Sequence, residues 1–139
     1  MNDRYMFRAW HKERKQMYGV TLLHWHNGKI KDVLCAVEKS ASDYDFPADE
    51  IELMQCTGLK DKTGRLIYEG DIVKINEFHD AYTHGLSPYV HFIKYDNGCC
   101  SFMGFRKIGS EYAEYLDYTT DIKIIGNIFD NPELLEVSE

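Results

Sequence analysis

Apolar and polar residues alternate along much of this chain with the period of two expected of half-buried β-strands. Residues 5–10 predict a first strand, the charged residues 11–16 a turn, and residues 17–25 a second strand, so the chain opens on a hairpin. His26-Asn27-Gly28-Lys29 carries the Asn-Gly pair that a two-residue type I′ turn needs, because both central residues must take positive φ. Residues 30–37 then return as a third strand. Residues 38–50 are polar and irregular, with Ser, Asp, Pro and Ala, and mark the boundary between an N-terminal meander and the rest.

Residues 51–56 form a short apolar stretch that joins a sheet, and Lys60-Asp61-Lys62-Thr63-Gly64-Arg65 predicts a tight turn with glycine in the left-handed position. Gly70-Asp71 starts the next strand, where Ile72, Val73 and Ile75 alternate imperfectly with Lys74. After a long loop over 78–88, residues 89–95, the turn Asp96-Asn97-Gly98 and residues 99–105 predict the clearest hairpin of the protein. Residues 106–120 allow two readings, a short helical turn capped by Ser110 or a wandering loop. Residues 122–129 predict a strand in which Gly126 marks a bulge or a close backbone approach. Asn131-Pro132-Glu133 places a cap residue, a proline and an acid where a helix starts, so a final helical turn is expected.

These elements predict a mainly β protein: a β meander over residues 1–50, then a small SH3-like barrel over residues 51–139 ending in a short C-terminal helical turn. An open β-sandwich is the alternative. The 139 residues, 44% hydrophobic and 14% aromatic, are enough for a real core and too rich in core-forming side chains for a disordered chain.

The net charge of -7 opposes nonspecific binding to phosphate backbones and to anionic membranes. The basic run Arg8, Lys12, Arg14 and Lys15 spans a predicted turn and is expected to be a solvated hairpin end. No apolar run approaches the roughly 20 residues a membrane helix needs, and no hydrophobic signal core follows Met1, so the expected location is cytoplasmic. Cys99 and Cys100 are adjacent in a strand-like segment, would point to opposite faces, and are expected to be reduced.

No pattern of catalytic chemistry emerges, and neither a cofactor nor a metal is expected. His24 and His26 share a face of a predicted strand without an evident third ligand. His79 and His84 match no metal-ligand spacing. A nucleophile-and-base pairing of Cys99 or Cys100 with His91 is weakened by the expected register, which sets Asp96 opposite Cys99 and His91 opposite Gly104. Glu69 and Asp71 flank Gly70 in a way that backbone capping alone explains. Trp10 and Trp25 form a core pair, or one of them is an exposed anchor; the core is favoured. Tyr112, Tyr115 and Tyr118, spaced by three, are the leading candidates for a protein interface, because tyrosine joins apolar area to a hydroxyl.

Three blocks carry a family resemblance: Phe7-Arg8-Ala9-Trp10; Leu53 to Asp61 with Ile67-Tyr68-Glu69-Gly70-Asp71-Ile72-Val73; and Ile125-Gly126-Asn127-Ile128-Phe129-Asp130-Asn131-Pro132-Glu133-Leu134-Leu135. Together they resemble the YopX family of phage and prophage proteins over essentially the whole chain. Cys56 departs from the pattern, standing where a tyrosine or phenylalanine is expected before Thr57-Gly58. The resemblance implies an SH3-like barrel in a small cytoplasmic protein encoded by a mobile element, and implies no activity. The expected function is that of an accessory protein binding another protein or assembling with itself. The alternative is a nucleic-acid-associated small barrel whose aromatics stack bases.

Overall fold

The computed structural model describes residues 6–39, 42–75, 89–105, 113–115 and 122–135, with the backbone alone at 89 and 113–115. Among the described residues, eleven strands run in the order β1 (Phe7–His11), β2 (Gln16–His26), β3 (Lys29–Cys35), β4 (Tyr44–Pro47), β5 (Ile51–Lys60), β6 (Leu66–Tyr68), β7 (Asp71–Ile75), β8 (Tyr89–Asp96), β9 (Ser101–Phe105), β10 (Ala113–Tyr115) and β11 (Ile122–Asn127). One 3-10 turn, Ala48–Glu50, joins β4 to β5, and another, Pro132–Leu135, follows β11. Among the described residues no α-helix occurs, and no helix is long and apolar enough to cross a membrane.

The chain divides into two compact units, Met1–Cys56 and Thr57–Glu139. In the first, antiparallel strands lie in the order β4-β3-β2-β1-β5. Strand β5 runs across the boundary, and in the second unit β6 lies beside it while a separate antiparallel sheet has the order β10-β9-β8-β7-β11. Both orders have the same logic: four consecutive strands are neighbours in turn and the fifth returns to pair with the first. Strands consecutive in sequence usually become neighbours in space, which accounts for the meanders. The return strands are set by longer-range pairing, Ile51 opposite His11 in one unit and Ile122 opposite Ile75 in the other.

Each unit has its own core. In the first, Ala9, Tyr18, Val33, Cys35, Phe46 and Ile51 are buried together. In the second, Ile67, Val73, Ile75, Ile93, Ile122 and Ile124 make a cluster of β-branched side chains, the type that suits a pleated surface. Ile72 and Phe92 pack with Leu135, which ties the last 3-10 turn to the sheet.

The Asn27-Gly28 turn forms as its sequence demands, with φ of 50° and 75°. Elsewhere the structure departs from expectation. The second sheet is open among the described residues, with β10 and β11 at its edges, where the sequence predicts a closed barrel. Strand β4 lies inside the segment expected to be irregular, because four residues are too few to display a period. Residues 113–115 are a strand paired with β9, neither helical turn nor loop. Pro132–Leu135 is a 3-10 turn, and Asn131 directs its side chain backward: its Oδ1 accepts from Asn127 N at 3.2 Å. The β8–β9 hairpin closes at Asp96 opposite Ser101, leaving a four-residue turn in place of the expected Asn-Gly corner. Cys99 and Cys100 therefore lie in the turn and are exposed, not alternating across a strand. The loop expected over 78–88 is outside the described residues.

Candidate functional site

The side chains most concentrated for recognition surround Arg14, in the β1–β2 turn of the first unit. That turn is held at its base: Lys15 N donates to His11 O at 2.8 Å, and Lys12 N to Glu50 O at 3.1 Å. Lys12 Nζ reaches Asp49 O at 3.1 Å, so both the backbone and a side chain of the turn dock on the 3-10 turn Ala48–Glu50. His11 is buried, and its Nδ1 accepts from Arg14 N at 3.0 Å. That bond assigns the ring proton to Nε2, which donates to Glu50 Oε2 at 3.3 Å.

Arg14 itself lies across two rings, its guanidinium 4.8 Å from the centre of Tyr44 and 5.3 Å from that of Phe46. Hydrogen bonds that its guanidinium donates to the Tyr18 and then the Tyr44 side chain shift its pKa upward. Tyr18 meets Phe46 at 5.3 Å between ring centres and Tyr44 edge-on at 6.1 Å, and His11 meets Phe46 at 4.4 Å. Such tilted arrangements match the ring quadrupoles. Strand β4 thus supplies the floor and the β1–β2 turn supplies the cation.

Open clefts flank this group. One, of about 540 Å³, is bordered by Arg14, Tyr18, Glu38 and Tyr44. The other, of about 510 Å³, is bordered by Glu13, Asp45 and Glu50 around Phe46 and Pro47. Three carboxylates and Arg14 share the second rim, so it offers both acceptors and a cation to a partner. Asp45 hydrogen-bonds to Asp32, which raises the pKa of Asp45 and lowers that of Asp32. Asp32 Oδ1 also contacts His24 Nδ1 at 2.7 Å.

The remaining sequence candidates scatter. His24 is engaged by Asp32, and no group of three metal-ligating side chains occurs among the described residues. His79 and His84 lie outside those residues, as do Tyr112 and Tyr118. Tyr115 sits on β10 opposite Met103. His91 is buried against Gly104, where a β-carbon would come within 3.3 Å of its own. It is five residues from Asp96 along β8, roughly 17 Å from the hairpin end that bears the cysteines, so the two cannot act on one substrate atom. Glu69 Oε2 accepts from Tyr95 N at 3.2 Å and Asp71 Oδ2 from Tyr68 N at 2.8 Å, so each carboxylate caps backbone. Trp10 is buried and Trp25 is 58% exposed, so they are not a core pair. Sequence reasoning missed Tyr44 and Phe46; the signal present was the alternation Tyr44, Phe46 within a polar stretch.

The model of the family described as YopX protein matches residues 6–136. The chain belongs to the YopX family. Among solved structures, yopX from Bacillus subtilis is similar to it at 25% identity and a TM-score of 0.61, covering 100% of each chain. Protein EF1440 from Enterococcus faecalis is similar at 27% identity and a TM-score of 0.59, covering 94% of this chain and 96% of that one. No curated protein matches the chain. Cys56, expected to depart from the family pattern, is fully buried in the first unit.

Proposed function

We propose that this YopX-family chain is a cytoplasmic accessory protein encoded by a phage or prophage, and that it acts by binding a protein partner or another copy of itself rather than by catalysis. The observation that carries the reading is the surface made by Arg14 and the 40%-exposed Tyr44 between two open clefts. Arginine and tyrosine are the residues in which binding energy concentrates at protein interfaces. Tyr112, Tyr115 and Tyr118, spaced by three in the sequence, offer further side chains of the same chemistry. The finer description of residues 51–139 as an SH3-like module is supported by the return of β11 to β7.

The test is affinity capture by the full tagged chain from lysogenic cells, in parallel with Tyr44→Ala and Arg14→Ala chains, together with sedimentation of the purified protein. A partner or a dimer present with the wild-type chain and lost with both variants is the expected result. A strictly monomeric protein that retains nothing beyond what the variants retain would overturn the reading, and binding to DNA or RNA that falls steeply with salt would replace it.

A further inference from the structure

We propose that Cys99 and Cys100 form a surface site that grips a soft, thiophilic ion of the trivalent-arsenic kind through both sulfurs at once. Four cysteines are free; Cys35 and Cys56 are buried, whereas Cys99 and Cys100 are exposed. Both occupy the turn that Asp96 and Ser101 close, with Cys99 N donating to Asp96 Oδ2 at 2.9 Å and the Cys100 thiol to Asn97 O at 3.6 Å.

The backbone adds a second, independent observation. Cys100 takes a φ of 52°, a left-handed conformation that glycine adopts freely and other residues adopt under strain. Gly98, two positions earlier in the same turn, does not take it. A cysteine thus stands where glycine would be easier, and strain held at an exposed reactive side chain points to use of that side chain. The burden falls on the pair because the two residues are consecutive and both lie outside the ladder.

Geometry also selects what the pair can bind. Adjacent Cα atoms across a trans peptide are about 3.8 Å apart, and no cis peptide occurs among the described residues. A disulfide ordinarily spans Cα separations of about 4.4–6.8 Å, so a direct bond between these neighbours is strained and easily reduced. An atom inserted between the sulfurs lengthens the bridge and removes that strain. Thiolates prefer soft ions, so the inserted atom is a soft one. With phenylarsine oxide as the probe, two As–S bonds form and the arsenic–oxygen bond breaks. The two thiol protons leave with that oxygen as one water, and arsenic stays trivalent.

The full reduced chain is titrated with phenylarsine oxide and followed by intact-mass spectrometry and circular dichroism. One adduct per chain is expected, with the β signal unchanged, resistant to excess monothiol and removed by 2,3-dimercaptopropanol. Cys99→Ser, Cys100→Ser and Cys100→Gly should each weaken it by about a hundredfold, since the second bond is an intramolecular one. All three changes fall in an exposed turn, so the variants fold. Undiminished binding by any of the three, stripping of the wild-type adduct by monothiol, or loss of β signal on binding would overturn the proposal.

Discussion

Asp61 Oδ2 accepts the backbone N–H of Ile124 at 3.1 Å, across 63 positions of sequence. The other oxygen accepts from Thr63 N at 2.9 Å, Thr63 Oγ1 at 2.6 Å and Arg65 N at 3.0 Å. One buried carboxylate therefore shapes the β5–β6 turn and fastens it to β11. Lys62 N, which donates to Ile122 O at 2.9 Å, reinforces the same junction. Removing Asp61 strands several donors at once, which is the expensive way to break hydrogen bonds. Asp61→Ala should destabilise the second unit by about 2–4 kcal/mol and Asp61→Asn by less. The midpoint of urea unfolding measures both, and a change below about 0.5 kcal/mol in the alanine variant would dissociate the carboxylate from stability.

Asp61 also predicts an acid limb. Burial alone would raise its pKa, but the bonds from Thr63, Ile124 and Arg65 outweigh that and hold it at about 2, below the ordinary 3.8. A depressed carboxylate stabilises the fold above the unfolded-state value and ceases to do so as pH falls through the folded one. The wild-type chain should lose about 2 kcal/mol of stability between pH 4 and pH 2 from this group. Asp61→Asn should lack that component, so the gap between the two should narrow over this window and stay constant from pH 5 to 8.

Gly126 sits at the register shift of β11, and a β-carbon there would lie 2.5 Å from Asn131 Oδ1. That oxygen is the acceptor for Asn127 N at 3.2 Å, so the added methyl must expel a working cap. Gly126→Ala should cost about 1–3 kcal/mol. In the Asn131→Ala background the same change should cost less, because the obstructing side chain is gone, and a double-mutant cycle reads the difference.

At the β8–β9 turn, Cys100→Gly should raise stability by about 0.5–1 kcal/mol, since relief of the left-handed strain exceeds the added freedom of the unfolded chain. Gly98→Ala brings a β-carbon to 3.3 Å from Asp96 Oδ2, the acceptor for Cys99 N, and should not stabilise. Thermal unfolding of the two single variants distinguishes them; a fall in stability for Cys100→Gly would show that the turn needs this side chain.

Much of the backbone path is legible in residues. Asn27-Gly28 encodes its turn because the two φ values belong to those residues themselves. The bulge at Gly126 and the role of Asp71 as a cap for Tyr68 N are legible for the same reason, each lying within a few residues, whereas Glu69 reaches Tyr95 N only because β8 arrives from 26 positions away. The Arg14 surface is not legible, because Tyr44 and Phe46 become its floor only when β4 pairs with β3, Phe46 opposite Val33.

What the amino-acid order determines by itself is the alternation of buried and exposed positions, the absence of long helical patterns and the corners where glycine or asparagine must turn the chain. The tertiary structure decides register and partnership. A shift in the closing pair, from the expected Asp96 with Cys99 to Asp96 with Ser101, moves two cysteines from a ladder into an exposed turn. Local torsional preference is written within a few residues, whereas the free energy of a pairing depends on a strand that arrives from elsewhere in the chain, as Ile124 arrives at Asp61.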